Sequence, residues 1–194
     1  MNSTDASMQK PSPKSNQKSL RNEIGANNGK KFQKDQLINI KKINLKVSKR
    51  KLNHFINKIE NIRVIKGTNY NYFSKKSIND FFSKDFIVSK LTDRMGMRIK
   101  GPNIKNIKEP NIKSEGLVKG VIQVPPDGNP IIMLSDHGTI GGYPKIATVI
   151  SADYDKLVQL PPGSKIKFKE IGINDAELLF KLYELETKNI SSFI

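Results

Sequence analysis

Ten residues, SDHGTIGGYP from Ser135 to Pro144, bring together a carboxylate, an imidazole, a threonine hydroxyl, two adjacent glycines and a phenol. These types suit a site that reads a small polar molecule. Asp136 could orient a donor or take a proton, and Thr139 and Tyr143 offer hydroxyls. Gly141 and Gly142 have no side chain to keep their amides away from a ligand oxygen. A glycine-rich turn with a satisfied Asp uses the same residues, and local pattern does not separate the two readings. Nor does Asp136 beside His137 make a triad, because adjacency places neither group on a nucleophile.

Two further segments carry candidate chemistry. TDRMGMRIKGP, 92–102, sets Asp93 and Arg94 ahead of Gly96. The pair could be a local salt bridge in a turn, or Arg94 could present its bidentate fork to a carboxylate or phosphate. SEGLVKGVIQVPPDG, 114–128, embeds Glu115 and Gln123 in a strand-like stretch. Buried polar groups need partners, so these two either tie down neighbouring backbone or face a cavity.

Other chemistries are excluded by what is missing. With no Cys and only His54 and His137, thiolate nucleophiles, disulfides and Cys- or His-rich metal sites are out of reach, and no metal is expected. GANNGKK, 25–31, is one residue short between its glycines for a phosphate loop and has Lys31 where Ser or Thr should meet magnesium. It reads as an Asn-Gly turn.

The elements that must position these groups are short. LINIKKINLKV reads as a strand with a slip near Lys41, and NIRVIKG as a second strand ended by Gly67. YFSKKSINDFFSKDF reads as a helix capped by Ser74, with Phe73 stapled to Ile78 and Phe81 and Phe82 on the core face. DFIVSKL, MGMRIKG, EGLVKGVIQV, NPIIMLS, KIATVIS and KIKFKEI are strand candidates, punctuated by the turns PPDG and PPGS. INDAELLFKLYELETKN predicts a closing amphipathic helix with Asn174 as N-cap, Glu177 completing a capping box, and a packing stripe of Leu178, Leu179, Leu182 and Leu185. The expected class is mainly β, a barrel or sandwich with a short internal helix and a C-terminal helix.

The 194 residues carry a net charge of +16, which invites a nucleic-acid reading. The excess sits in front: residues 1–113 hold 26 basic and 8 acidic residues, and residues 114–194 hold 8 and 10. The run KKINLKVSKRK, 41–51, has no base-reading motif beside it, so nucleic acid is not the expected partner. Residues 1–19 are too polar to offset their ordering entropy and are expected to be a disordered tail. No apolar run reaches bilayer length and no signal-peptide core is present, which predicts a cytoplasmic protein without membrane contact.

Taken in order, VSKLTDRMGMRIKGP, SEGLVKGVIQVPPDG, PPDGNPIIMLSDHGTIGGYPKIATVISAD and DKLVQLPPGSKIKFKEI closely resemble the KipA family, which includes the second subunit of allophanate hydrolase and the C subunit of 5-oxoprolinase. LRNEIGANNGKKFQKDQLINI looks like the end of that family's first half. The resemblance implies a cyclophilin-like β-barrel over 49–194, with 20–48 as the remnant of the first half. It implies work beside a KipI-like first subunit and, because family members carry a first half ahead of this region, a possible separate first-half chain. The implied reaction is ATP-dependent opening of 5-oxoproline, a small lactam, to glutamate, with ATP bound in the complex, on this chain or on its partner. Two alternatives are a urea amidolyase-type carboxyltransferase, which would bring biotin, and a non-catalytic regulatory module. The family pattern falls on Asp93, Arg94, Glu115, Gln123, Gly141 and Gly142 as substrate-binding candidates and on Asp136, Thr139 and Tyr143 as catalytic ones.

Overall fold

The computed structural model describes Asn27, Lys30 and residues 32–37, 61–109 and 111–191, with backbone alone for 188–191. The chain falls into two units, Met1–Lys49 and Arg50–Ile194. The predicted tail at 1–19 and basic run at 41–51 lie outside the described residues. So do the 37–47 strand, apart from Leu37, and most of the 20–48 segment. In the first unit Asn27 takes a left-handed conformation (φ 59°), and the Lys30 amide donates to the Asn27 carbonyl at 3.0 Å, a turn that Asn tolerates.

The second unit is mainly β. Its strands are β1 (Ile62–Lys66), β2 (Phe86–Val88), β3 (Gly96–Lys100), β4 (Glu115–Gly116), β5 (Val121–Gln123), β6 (Ile131–Met133), β7 (Ile140–Gly141), β8 (Lys145–Val149), β9 (Lys165–Ile166) and β10 (Phe168–Glu170). Among the described residues three α-helices accompany them, α1 (Lys75–Ser83), α2 (Ser151–Leu157) and α3 (Ile173–Ser191), with a short 3-10 turn at Tyr70–Tyr72. Eight strands form one sheet in the order β10-β1-β8-β5-β6-β3-β2-β9, and β4 pairs with β7 in a separate two-stranded ribbon.

The sheet is a nearly closed barrel because its two edges are consecutive in the chain. Only Lys167 separates β9 from β10, and its carbonyl accepts from the Ile62 amide at 2.8 Å. Phe81 of α1 covers the seam, stacked on Phe168 of β10 (centroids 4.5 Å apart) and tilted against Phe86 of β2 (5.7 Å). An edge left open there would offer unpaired backbone to another chain. Inside the barrel, inward residues such as Val64, Ile99, Ile122, Ile132 and Ala147 are fully buried.

Local chemistry explains most elements. The Ser74 hydroxyl accepts from the Ser77 amide at 3.1 Å, so α1 starts at the predicted cap. PPDG and PPGS close as turns, with Gly128 (φ 75°) and Gly163 (φ 93°) in the conformation other residues avoid. Four expectations change. EGLVKGVIQV is two strands, because Gly120 (φ 85°) breaks it and sends β4 to the ribbon. KIKFKEI is likewise two strands, β9 and β10, on opposite edges. KIATVIS stops at Val149, and Ser151 opens the unpredicted helix α2, whose Asp153 lies in the first turn where the helix dipole favours an anion. Finally, α3 begins at Ile173, so Asn174 is inside the helix and not its cap, and Leu178, Leu182 and Leu185 of the predicted packing stripe are exposed.

Asp153 also ties α2 to the barrel. Its carboxylate accepts from the Arg63 backbone amide and from Arg63 Nε, each at 2.9 Å. The hydrogen bond to Asp153 raises the Arg63 guanidinium further above its ordinary value, against the opposing effect of burial.

Candidate functional site

The predicted site residues gather into two clusters joined by the 134–144 loop. In the first, the loop between β2 and β3 lies against the loop after β6. Asp93 is used locally: its Oδ1 accepts from the amides of Met95 (2.9 Å) and Gly96 (3.0 Å), fixing the turn into β3. Arg94 meets Asp136 through Nε to Oδ2 at 2.8 Å and Nη2 to Oδ1 at 3.2 Å, and the Asp136 amide donates to the Arg94 carbonyl at 3.0 Å. The fork–carboxylate pair is exposed, so solvent screening limits its strength, but its geometry sets the two loops side by side. His137 Nδ1 sits 2.5 Å from the Gly138 carbonyl and engages no carboxylate.

The second cluster lies where the β4–β7 ribbon meets the barrel. β5 and β8 pair with a register shift between Ile122 and Gln123, which brings Gln123 opposite Lys145. Such a bulge re-aims the side chains beside it. Gln123 is buried and donates through Nε2 to the Tyr143 carbonyl at 3.1 Å. Lys145 is buried too, its side chain only 5% exposed, and its Nζ donates to Glu115 Oε2 at 2.6 Å. Glu115, on the ribbon, keeps a side chain 44% exposed. Asn69 is buried beside them: its Oδ1 accepts from the Lys145 amide at 3.1 Å, and its own amide donates to the Lys145 carbonyl at 3.2 Å.

Electrostatics match this geometry. The hydrogen bond from Lys145 holds the Glu115 carboxyl below its ordinary value of 4.5, partly offset by desolvation, with the Lys145 charge and a hydrogen bond from Asn69 adding to the depression. A buried ammonium without such a partner would be costly. Gly141 pairs with Glu115 across the ribbon, and a Cβ there would lie 2.7 Å from Gln123 Nε2. A side chain at this position would push aside the Gln123 amide. Gly142 accepts through its carbonyl from the Ile112 amide at 2.8 Å, and Thr139 through its carbonyl from the Leu117 amide at 2.9 Å. Thr139 and Tyr143 are exposed on the same loop.

Asn69 and Lys145 were not among the residues the sequence put forward. Lys145 left only a blurred signal: the register shift beside it breaks the alternation of β8 and sets Lys145 opposite Gln123, on the side the ribbon covers, and not in line with the inward Ala147 and Val149. Asn69 left none, because its role depends on contact with β8, 76 residues away. Among the described residues no group of His, Cys, Asp and Glu could hold a metal ion, and no helix is long and apolar enough to cross a membrane.

A nearly closed barrel with a buried lysine held against a half-exposed glutamate under a glycine-bearing ribbon defines a mainly β domain with a polar, charge-balanced site. The chain belongs to the carboxyltransferase domain family, subdomain A and B, whose model matches residues 9–170. It is 37% identical to the C subunit of 5-oxoprolinase from Escherichia coli (strain K12) over 115 residues, and 36% identical to its Haemophilus influenzae counterpart over 134 residues. These alignments cover 59% and 69% of this chain but 37% and 43% of those relatives, so the chain spans less than half the length of either. The urea amidolyase of Saccharomyces cerevisiae is 26% identical over 128 residues, 61% of this chain and 7% of that one. The crystal structure of the Kluyveromyces lactis urea amidolyase superposes with a TM-score of 0.63 at 26% identity, covering 69% of this chain and 8% of that one.

Proposed function

We propose that this chain is the C-terminal part of a 5-oxoprolinase-type subunit that works with partner subunits in the ATP-dependent opening of 5-oxoproline to glutamate. The observation that supports this most directly is the buried Lys145 ammonium held against the half-exposed Glu115. A small anionic substrate can replace the Glu115 carboxylate on Lys145 without uncovering a buried charge, since one anion exchanges for another. Opening a lactam breaks its C–N bond, adds the oxygen of water to the carbonyl carbon and places a proton on the nitrogen. In this reading Lys145 holds the substrate carboxylate, and Glu115, released from it, takes or returns a proton. The Gly142 amide and the Thr139 and Tyr143 hydroxyls face the carbonyl oxygen as charge develops there. Arg94 and Asp136, matched to each other, brace the loop that carries those groups, and Gln123 fixes its return at Tyr143.

The residues of the two clusters do not fit a nucleoside triphosphate. Lys145 is balanced by Glu115 and Arg94 by Asp136, which leaves little net positive charge for a polyphosphate. ATP is therefore assigned to a partner, a KipI-like subunit or a first-half chain. The second reading, a urea amidolyase-type carboxyltransferase component in which biotin would take part, is favoured by the 0.63 superposition on the Kluyveromyces lactis enzyme.

The test is to purify the chain with candidate partner subunits and measure 5-oxoproline-dependent ATP hydrolysis. Activity is expected, and Lys145→Met should raise KM for 5-oxoproline at least about tenfold, since it removes a charge-assisted contact. No 5-oxoproline-dependent turnover with any partner set would overturn the proposal. Carboxyl transfer to urea from carboxybiotin in the same preparations would establish the second reading instead.

A further inference from the structure

α3 presents an apolar line that the fold leaves uncovered. It packs on α2 along the side that carries Tyr183, whose hydroxyl donates to the Asp155 carboxylate, with Ala176, Leu179 and Thr187 half-buried beside it. Leu178, Leu182 and Leu185 fall on a different face, with 58%, 48% and 59% of their surface exposed. Three large aliphatic side chains on one line are not the scattered exposure of an ordinary surface. The helix also begins after residue 170, where the family model's match ends.

Spacing and charge identify what covers it. The steps of four and then three residues from Leu178 to Leu182 to Leu185 place them at successive d, a and d positions of a heptad, the seam of a two-stranded coiled coil. Lys181 then takes the g position and Glu186 the e position of the following heptad, and both are exposed. In a parallel pair in register, g of one helix faces the next e of the other, so Lys181 meets Glu186 of the second helix and the reciprocal pair forms by symmetry. Ile173 and Phe180, also exposed, both fall at f, away from the seam.

We propose that α3 is a self-association surface that pairs two copies of this chain in a parallel coiled coil, with Leu178, Leu182 and Leu185 in the seam and Lys181–Glu186 ion pairs on its flanks. The seam is short, so the association is weak and concentration-dependent. It does not depend on the reaction proposed above.

Sedimentation equilibrium on the full chain from about 5 µM to about 500 µM, a span that brackets weak association constants, should show monomer converting to dimer. Leu182→Asp, at an exposed position that leaves the fold intact by circular dichroism, should remain monomeric throughout. Lys181→Glu and Glu186→Lys should each weaken the dimer about tenfold, since two attractive pairs become repulsive. Mixing the two variants should restore it, because the heterodimer regains both pairs. The chain has no Cys, so a single Leu178→Cys or Leu185→Cys reports orientation. In a parallel pair each cross-links to itself under copper–phenanthroline oxidation, which an antiparallel pair does not allow at both positions. The proposal is overturned by a monomeric chain at the highest concentration, by a dimer indifferent to Leu182→Asp, or by failure of the mixture to recover. It is equally overturned if hydrogen exchange shows the α3 leucine face protected in a monomer only while residues 1–49 are present, since that segment would then be the occupant.

Discussion

Lys145 and Glu115 show how a single position couples stability to chemistry. Glu115→Gln leaves the buried ammonium without its counter-charge, and urea unfolding should report a loss of about 1–3 kcal/mol, below the about 3–5 kcal/mol of a fully buried pair because solvent reaches Glu115. Lys145→Met, which removes the charge and keeps the volume, should change stability little while it impairs substrate binding. The acid dependence follows from the depressed Glu115 carboxyl. Its contribution is complete above the ordinary value of 4.5 and is lost as pH falls through the lower folded-state value. The stability gap between the wild-type chain and Glu115→Gln should therefore be full at about pH 7 and shrink steadily as pH falls below 4.5, and paired urea titrations across that range check it. In the sequence Glu115 and Gln123 stood out as polar residues in an apolar setting. Lys145 passed as an ordinary lysine, since the register shift that sets it opposite Gln123 exists only once β5 and β8 are paired.

At the scale of elements, backbone approach decides what the side chains can reach. Gly67, at the end of β1, lies so close to β8 that a Cβ there would be 2.3 Å from the Lys145 carbonyl oxygen. Neither backbone segment can yield without shifting Lys145 and the Asn69 bonds on either side of it. Gly67→Ala should cost at least about 2–3 kcal/mol by overpacking, read as a lower urea midpoint with unchanged m-value. α3 offers a second element-scale prediction. The hydrogen bond to Asp155, helped by burial and by the carboxylate's charge, pushes the Tyr183 phenol up to about 12. A raised phenol pKa means this bond stabilises the fold fully below the ordinary value of 10.0 and is lost as pH climbs toward 12. Near-ultraviolet absorbance should show a tyrosine step near pH 12, and Tyr183→Phe should remove it. The capped helix α1 and the PPDG and PPGS turns were legible, because caps and turns are made by neighbours in sequence. α2 was not, because it follows β8 without a break and its anchoring Asp153 finds Arg63 only in the fold.

Across the whole molecule, closure of the barrel depends on a few aromatics at the seam. Phe81→Ala would empty a fully buried site between Phe86 and Phe168 and should cost about 3–5 kcal/mol. Calorimetry should then show a lower Tm with the ribbon and barrel still melting together. The sequence by itself determined the mainly β class, the placement of the turns, the helix cap at Ser74 and the residues of the loop from Asp136 to Tyr143. These follow from backbone preferences and periodicity acting over a few residues. Tertiary structure alone decided that Arg94 is matched to Asp136, that Lys145 sits buried against Glu115 with Asn69 beside it, and that the leucines of α3 face outward. Each depends on which strand lies beside which, or on which helix face finds a partner, and a local pattern carries no record of neighbours that arrive from dozens of residues away.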